Sequence, residues 1–397
     1  MIGVSTPPPI RVGVLFSETG VTALVERTQR RAVELALEEL NTSGGVLGRP
    51  LQAVIYDPAS DPRRYRQLAE DLLETDGIEV IFGCYMSSTR KAVLPVVERR
   101  GGLLFYPTLY EGFEFSPNCI YSGAAPNQNS VSLARFLMQH YGQRFYLVGS
   151  NYVFPYESNR IIRDYISSHG GKVVEERYIP LNASDEDIGQ IIANVGKCCP
   201  SVIISTVVGD GTTLLYRAYR KAGFDPDKMP IGSLTTCEPE VAQIGSEAAE
   251  GHYTSAPYFQ SIRSTENARF VDAYHRRFGP DQPISSCTEA AYFQVHLFAR
   301  AAERAGSTAI DKIKQALPGC EFPAPQGPVR VDQENNHTYL WPRIGRVGSD
   351  GRFTIEEESS VPVKPDPYMI TPEDENWGSQ SARNGGVGVV RLTGSRG

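Results

Sequence analysis

One pattern, repeated along most of the chain, constrains the fold more than any other feature. It is a short β-branched run, a polar turn, then an apolar stripe at helical spacing. Residues 11–16 (RVGVLF) read as a buried strand, with Ser17, Glu18, Thr19 and Gly20 as the turn after it. Val33, Ala36, Leu37 and Leu40 follow at i, i+3, i+4 and i+7, on one face of a helix. Gly44, Gly45, Gly48 and Pro50 stop that helix before a strand over 51–56. Pro62 opens the next helix, whose apolar side is Tyr65, Leu68, Ala69 and Leu72. Strands over 80–82 and 103–106 flank a helix over 87–99. A second series begins after 119–121. It runs through helix 127–141, strand 145–148, helix 157–169, strands 173–179 and 202–208, helix 212–222 and strand 230–234.

Strands alternating with helices predict an α/β fold of parallel sheets covered by helices on both faces. The 397 residues exceed one ordinary core. The reading is therefore two doubly wound lobes joined by a multi-strand hinge. Amphipathic helices near 267–278 and 289–305 look like a return to the first lobe. Beyond Gly327 the texture turns strand-rich, over 329–331, 338–347 and 353–357. The expected division is 10–122 plus about 255–325 for the first lobe, and 123–254 plus about 326–378 for the second. Residues 379–397, with Gly and Arg but no acid, are expected to form a mobile tail. Such lobes set the carboxyl ends of two sheets across a cleft, where small ligands bind.

Composition narrows the partners. Net charge is −7, which argues against a nucleic-acid backbone. No apolar run reaches the roughly 18 residues of a membrane span. The start, MIGVSTPPPIRVGVLFSETG, lacks the basic patch and apolar stretch of an export signal. A cytoplasmic location is expected. A trimmed signal would make it periplasmic or cell-surface, with Pro7, Pro8 and Pro9 as a linker. Seven cysteines, an odd number without C-x-x-C spacing, are expected as reduced thiols.

Signatures of catalysis are missing: no G-x-S-x-G, no H-E-x-x-H, no G-x-x-x-x-G-K-[ST]. None of the six histidines sits beside a nucleophile in a known signature. Cys84 lies at a strand end, where a nucleophile could stand, but a packed thiol is the plainer reading. Cys198 and Cys199 are adjacent, which is poor geometry for chelation. Gly209, Asp210, Gly211, Thr212 and Thr213 follow a strand like a phosphate cradle. They lack the lysine, and Asp210 would repel an anion, so a tight turn and helix cap are expected. No enzyme activity, cofactor or metal is expected.

Chemistry gathers at the strand ends. Cys84, Tyr85, Met86, Ser87, Ser88 and Thr89 follow one strand, and Pro107, Thr108, Leu109 and Tyr110 the next. Ser150, Asn151, Tyr152, Val153 and Phe154 follow a third, the Gly209 turn a fourth, and Thr235 and Thr236 a fifth. These loops carry hydroxyls and aromatics with almost no charge. A helix starting at Ser87 would also offer free N–H groups. Together they suit a small, uncharged polar ligand better than a phosphate or an amino acid.

At these residues the chain resembles the type I periplasmic binding proteins, and within them the branch of amide and urea receptors. The motifs are GCYMSSTRKAVLPVVE from Gly83, LLFYPTLYEGFEFSPN from Leu103, GAAPNQNS from Gly123, GSNYVFPYESN from Gly149, STVVGDGT from Ser205 and QGPVRVDQENNHT from Gln326. The likeness spans residues 11 to about 377. It implies that Ser87 and Thr108 hold an amide group. Tyr85, Tyr106, Pro107 and Tyr152 would shape the first-lobe and hinge side, and Thr206, Val208 and Thr235 would close from the second lobe. Urea receptors usually carry tryptophan where Tyr85 stands and differ at Thr108, so this chain sides with the amide receptors. Phe154, Leu109 and Asp210 depart from their tyrosine, proline and threonine, which bears on ligand size and polarity. The resemblance implies one of two roles. One is a sensor of acetamide-like amides that controls amidase expression by restraining an RNA-binding antiterminator protein. The other is a binding protein that feeds amides or urea to an ABC permease.

Overall fold

The structure, a computed structural model, describes residues 7–370 and 390–391. The first sheet holds β1 (Ile10–Leu15), β2 (Leu51–Tyr56), β3 (Val80–Gly83), β4 (Leu103–Tyr106) and β5 (Cys119–Tyr121). They lie parallel in the order β2-β1-β3-β4-β5. Their connections are α1 (Ala23–Thr42), α2 (Pro62–Glu70, continued by a π turn at Asp71–Thr75) and α3 (Ser87–Arg100).

The chain crosses to the second lobe through α4 (Pro126–Tyr141). It continues as β6 (Arg144–Ser150), α5 (Val153–Ser168), β7 (Lys172–Ile179), α6 (Asp185–Cys198), β8 (Val202–Thr206), α7 (Asp210–Lys221) and β9 (Ile231–Ser233). Then come α8 (Glu238–Ile244), α9 (Ser246–Ala249) and β10 (Tyr253–Ala256). Helix α6 is not among the elements expected above, although Ser184 and Asp187 form its capping box. Next follow α10 (Thr265–Phe278), α11 (Ser286–Ala305), α12 (Ile310–Ala316) and β11 (Glu321–Ala324). The last elements are β12 (Gly327–Val331), β13 (Thr338–Tyr339), β14 (Arg343–Val347), β15 (Phe353–Glu358) and β16 (Val390–Arg391). The second sheet runs β16-β15-β14-β10-β9-β8-β6-β7, parallel from β10 to β7 and antiparallel from β10 through β14 to β16.

Helices α10 and α11 do return to the first lobe. Helix α11 is apolar nearly all round and packs along α1, with Phe293, Leu297 and Phe298 in the same core as Val33, Ala36 and Leu37. Phe298 meets Phe82 and Phe105 edge-on. One boundary differs from expectation. Residues 326–340, assigned to the second lobe, bury Val329, Val331 and Leu340 in the first core. Tyr121 N also donates to Asn336 O at 2.9 Å, so this segment extends the edge of the first sheet. The single strand expected over 338–347 is two, β13 and β14. Pro342 between them has no N–H to give a ladder. Only from Arg343 does the chain rejoin the second sheet.

The tail expected over 379–397 lies outside the described residues, apart from β16. All seven cysteines are free thiols. Among the described residues no helix is long and apolar enough to cross a membrane, and no group of His, Cys, Asp or Glu is placed to hold a metal ion.

Candidate functional site

The carboxyl ends of β3 and β4 face those of β6, β8 and β9 across the gap between lobes. Cys84 leaves β3 with φ at +71, a left-handed conformation costly for a residue with a side chain. Tyr85 and Ser87 follow it into the cleft. Thr108 and Leu109 enter from the end of β4, Tyr152 and Phe154 from the start of α5, and Val208 and Thr235 from the ends of β8 and β9. These eight residues line one cavity of about 10 Å³, the space of about one water molecule. A cluster of Val25, Tyr85, Met86 and Cys287, with Leu109, Tyr152, Leu181 and Cys237, seals the seam beside it. The lobes are closed on each other.

Of the residues singled out by sequence, Tyr85, Ser87, Thr108, Tyr152, Phe154, Val208 and Thr235 meet at this cavity. Tyr106 stands behind it and donates its hydroxyl to Tyr85 O at 2.7 Å. Pro107 lines the neighbouring hinge cavity with Ser122 and Gly123. Thr206 turns away, donating to Asn159 Oδ1 at 3.1 Å within the second lobe.

Two glycines set the closeness of this packing. A Cβ on Gly123 would lie 2.1 Å from the Thr108 carbonyl, so only glycine lets the first hinge strand pass so near the site. Gly209 has φ at +68, and a Cβ there would lie 2.7 Å from Val21 O of the opposite lobe. The Gly209 turn is thus pressed against the first lobe.

The expectation of an almost uncharged site needs correction. Ser87 Oγ donates in a short contact to Glu111 Oε2 and accepts from Arg90 Nη1 at 3.2 Å. Arg90 is fully buried and also donates to Glu111 Oε1 at 3.1 Å and to Glu114 Oε1 at 2.8 Å. Its guanidinium lies 4.7 Å from the ring centroids of both Tyr106 and Tyr110. Burial alone would raise the Glu114 carboxyl, but Arg90 and Lys91 hold it down at about 2. Two negative and two positive groups therefore stand one layer behind Ser87. A second missed residue is Gln29 of α1, fully buried. Its Nε2 donates to Thr108 Oγ1 at 3.2 Å, while its Oε1 is buried without a protein partner. A third is Glu240 of α8, facing Tyr85 and Val25 across the seam, its carboxyl pushed by burial up to about 8. The one available signal is spacing: Arg90 falls three residues after Ser87 on α3, and Glu111 three after Thr108 in the loop that follows β4.

Cys84 is completely buried, and burial raises its thiol well above the usual range, unlike an activated nucleophile.

The periplasmic binding protein domain model matches residues 10–374. The chain is 24% identical over 371 residues to the Leu/Ile/Val-binding protein homolog 6 of Brucella suis, covering 91% of this chain and 93% of that protein. It is also 24% identical over 339 residues to the leucine-, isoleucine-, valine-, threonine-, and alanine-binding protein of Pseudomonas aeruginosa, covering 82% and 87%. The solute-binding protein of an ABC transporter from Rhodopseudomonas palustris HaA2, solved with p-hydroxybenzoic acid, matches with a TM-score of 0.83 at 22% identity. That match covers 91% of this chain and 99% of the other; at such identity the likeness is one of fold.

Proposed function

This chain belongs to the periplasmic binding protein family, and from that premise we propose that it captures a short-chain aliphatic amide, or urea, between its lobes and delivers it to an ABC importer. The observation that carries the ligand is the pairing of Ser87 with Thr108. Ser87 gives its proton to Glu111, so what it has left for a ligand is an acceptor lone pair. Thr108 accepts from Gln29, and its own proton has a long 3.4 Å alternative at Cys84 O, with the Cys287 thiol also beside it. An acceptor and a donor facing the same cavity complement the N–H and C=O of one carboxamide. Tyr85, Tyr152, Phe154, Leu109 and Val208 enclose the rest, with Thr235 at the second-lobe wall. The family's binding proteins and the transporter setting of the solved relatives support the importer role.

A ligand of four heavy atoms supplies at most roughly −6 kcal/mol, at a ceiling of about −1.5 per atom, which corresponds to a Kd of tens of micromolar. Calorimetry with acetamide, propionamide, urea, leucine and 4-hydroxybenzoate tests the proposal. Binding of an amide or urea with a Kd of about tens of micromolar or weaker is expected. Tight binding of leucine or the benzoate with no amide heat would overturn it.

A second reading keeps the ligand and changes the output. The amide-receptor motifs around Tyr85 and Thr108 favour a sensor that restrains an RNA-binding antiterminator protein from a cytoplasmic location. Reconstitution separates the two. An importer component stimulates the ATPase of a permease complex from the same gene neighbourhood when acetamide is present. A sensor instead forms a complex with the antiterminator that acetamide dissolves.

A further inference from the structure

Ser87 could serve a carboxylate as well as an amide if its proton were free. It is not free. Glu111 takes that proton through the shortest contact of the cluster, and Arg90 occupies a further lone pair of the same oxygen. The Arg90 charge is already divided between two carboxylates, Glu111 at 3.1 Å and Glu114 at 2.8 Å. The Tyr106 and Tyr110 rings, set edge-to-face, both lie against its guanidinium. Glu111 and Arg90 are both essentially inaccessible to water, so no solvent screens them. A carboxylate entering the cavity would meet an oxygen that offers only lone pairs, backed by a negative group. An N–H would meet an acceptor strengthened by that same group.

Building on the amide reading above, we infer that Glu111 is the residue that selects ligands by charge: by fixing the Ser87 hydroxyl as an acceptor it admits a neutral N–H donor and rejects a carboxylate of equal size. Glu111 acts through Ser87 and is a positioning and specificity residue, not a group in contact with the ligand. The four-charge cluster is balanced as it stands. Neutralising Glu111 leaves a net positive charge behind Ser87 and frees its proton for an anion.

Acetamide, acetone and acetate are nearly isosteric and differ in one group: NH2, CH3 or O−. The full chain should bind them in that order, because acetone lacks only the N–H while acetate adds charge. In Glu111→Gln, acetamide should weaken and acetate should rise above acetone, narrowing the amide-to-acetate ratio by at least about tenfold. Glu111→Asp, which keeps the charge, should retain the order of the unmodified chain. A merely structural role would lower all three affinities together, and that result, or an unchanged ratio in Glu111→Gln, would overturn the inference alone. An unmodified chain that prefers acetate to acetamide would overturn the amide reading as well. Should Glu111→Gln not fold, the unmodified chain still decides, since acetate binding at least as well as acetone contradicts the proposed rejection.

Discussion

Ser87 Oγ gives its proton to Glu111 and receives one from Arg90, whereas Thr108 Oγ1 receives one from Gln29. Removing either hydroxyl deletes one ligand hydrogen bond. Ser87→Ala and Thr108→Val should each cost about 1 kcal/mol of acetamide binding, roughly fivefold in Kd. Unchanged affinity in both, measured by calorimetry, would place the ligand elsewhere. Phe154 is buried against Tyr152 at a centroid distance of 6.2 Å and limits the length of the cavity. Phe154→Leu should therefore raise the affinity for butyramide relative to acetamide by about tenfold, the usual worth of one or two methylenes in an apolar pocket. An unchanged ratio would show that Phe154 does not set ligand size. The hydroxyls and aromatics were legible because strand ends mark the cleft. The ion cluster behind them was not. Arg90 meets Glu111 and Glu114 at sequence separations of 21 and 24, and no helical or strand period links residues so far apart.

At the scale of elements, closure rests on turns that meet across the gap. The Gly209 turn at the start of α7 was read as a tight turn rather than a phosphate cradle, and its glycine has φ at +68. What sequence could not supply is its neighbour, the Val21 carbonyl of the other lobe, because local pattern carries no contact 188 residues away. Alanine at 209 adds backbone strain in any state and a clash only in the closed one. Gly101, the cap of α3, has φ at +69 with nothing near a Cβ. Gly101→Ala thus carries the strain alone, on the order of 1 kcal/mol. Both variants should melt a few degrees lower. Only Gly209→Ala should lose acetamide affinity, by tenfold or more, and show a larger radius of gyration with saturating ligand in X-ray scattering. Equal affinities in the two variants would show that the Val21 contact does not limit closure. The sheets themselves were readable from β-branched runs. The division at 326–340 was not, since Val329 and Val331 alternate equally well toward either core.

For the whole molecule, the two lobes and the crossings between them convert buried carboxyls into a pH response. Glu289 of α11 accepts from Gln326 N at 3.2 Å and from Gln326 Nε2 at 2.8 Å, and burial pushes its carboxyl up to about 8. Glu240 is raised to about 8 by burial as well, with Cys237 N donating to it at 3.1 Å. The titratable groups around it are Tyr85 and Cys287 of the first lobe, and Cys237, Glu238, Tyr216 and Asp210 of its own, none of them a cation. Both folded values lie above the ordinary 4.5. Each group's contribution is therefore fully present below about 4.5 and is lost as pH rises through about 8. Below about pH 6.5 the buried His252 and His337, depressed by burial to about 3 and about 4, offset this loss, so melting temperature should fall mainly as pH climbs from about 6.5 to about 8. The two carboxyls differ in what they report. Glu289 sits within the fold, whereas Glu240 is covered by first-lobe residues Val25 and Tyr85 and gains water when the lobes part. Closure then takes up a proton at Glu240, and acetamide affinity should decline over the same window, levelling off above about pH 8. Glu240→Gln should flatten the affinity profile and leave the Glu289 part of the stability profile in place. An affinity profile as steep in Glu240→Gln as in the unmodified chain would remove Glu240 from the closure equilibrium. Glu289→Gln should remove only its own part of the melting profile while the affinity profile keeps its slope.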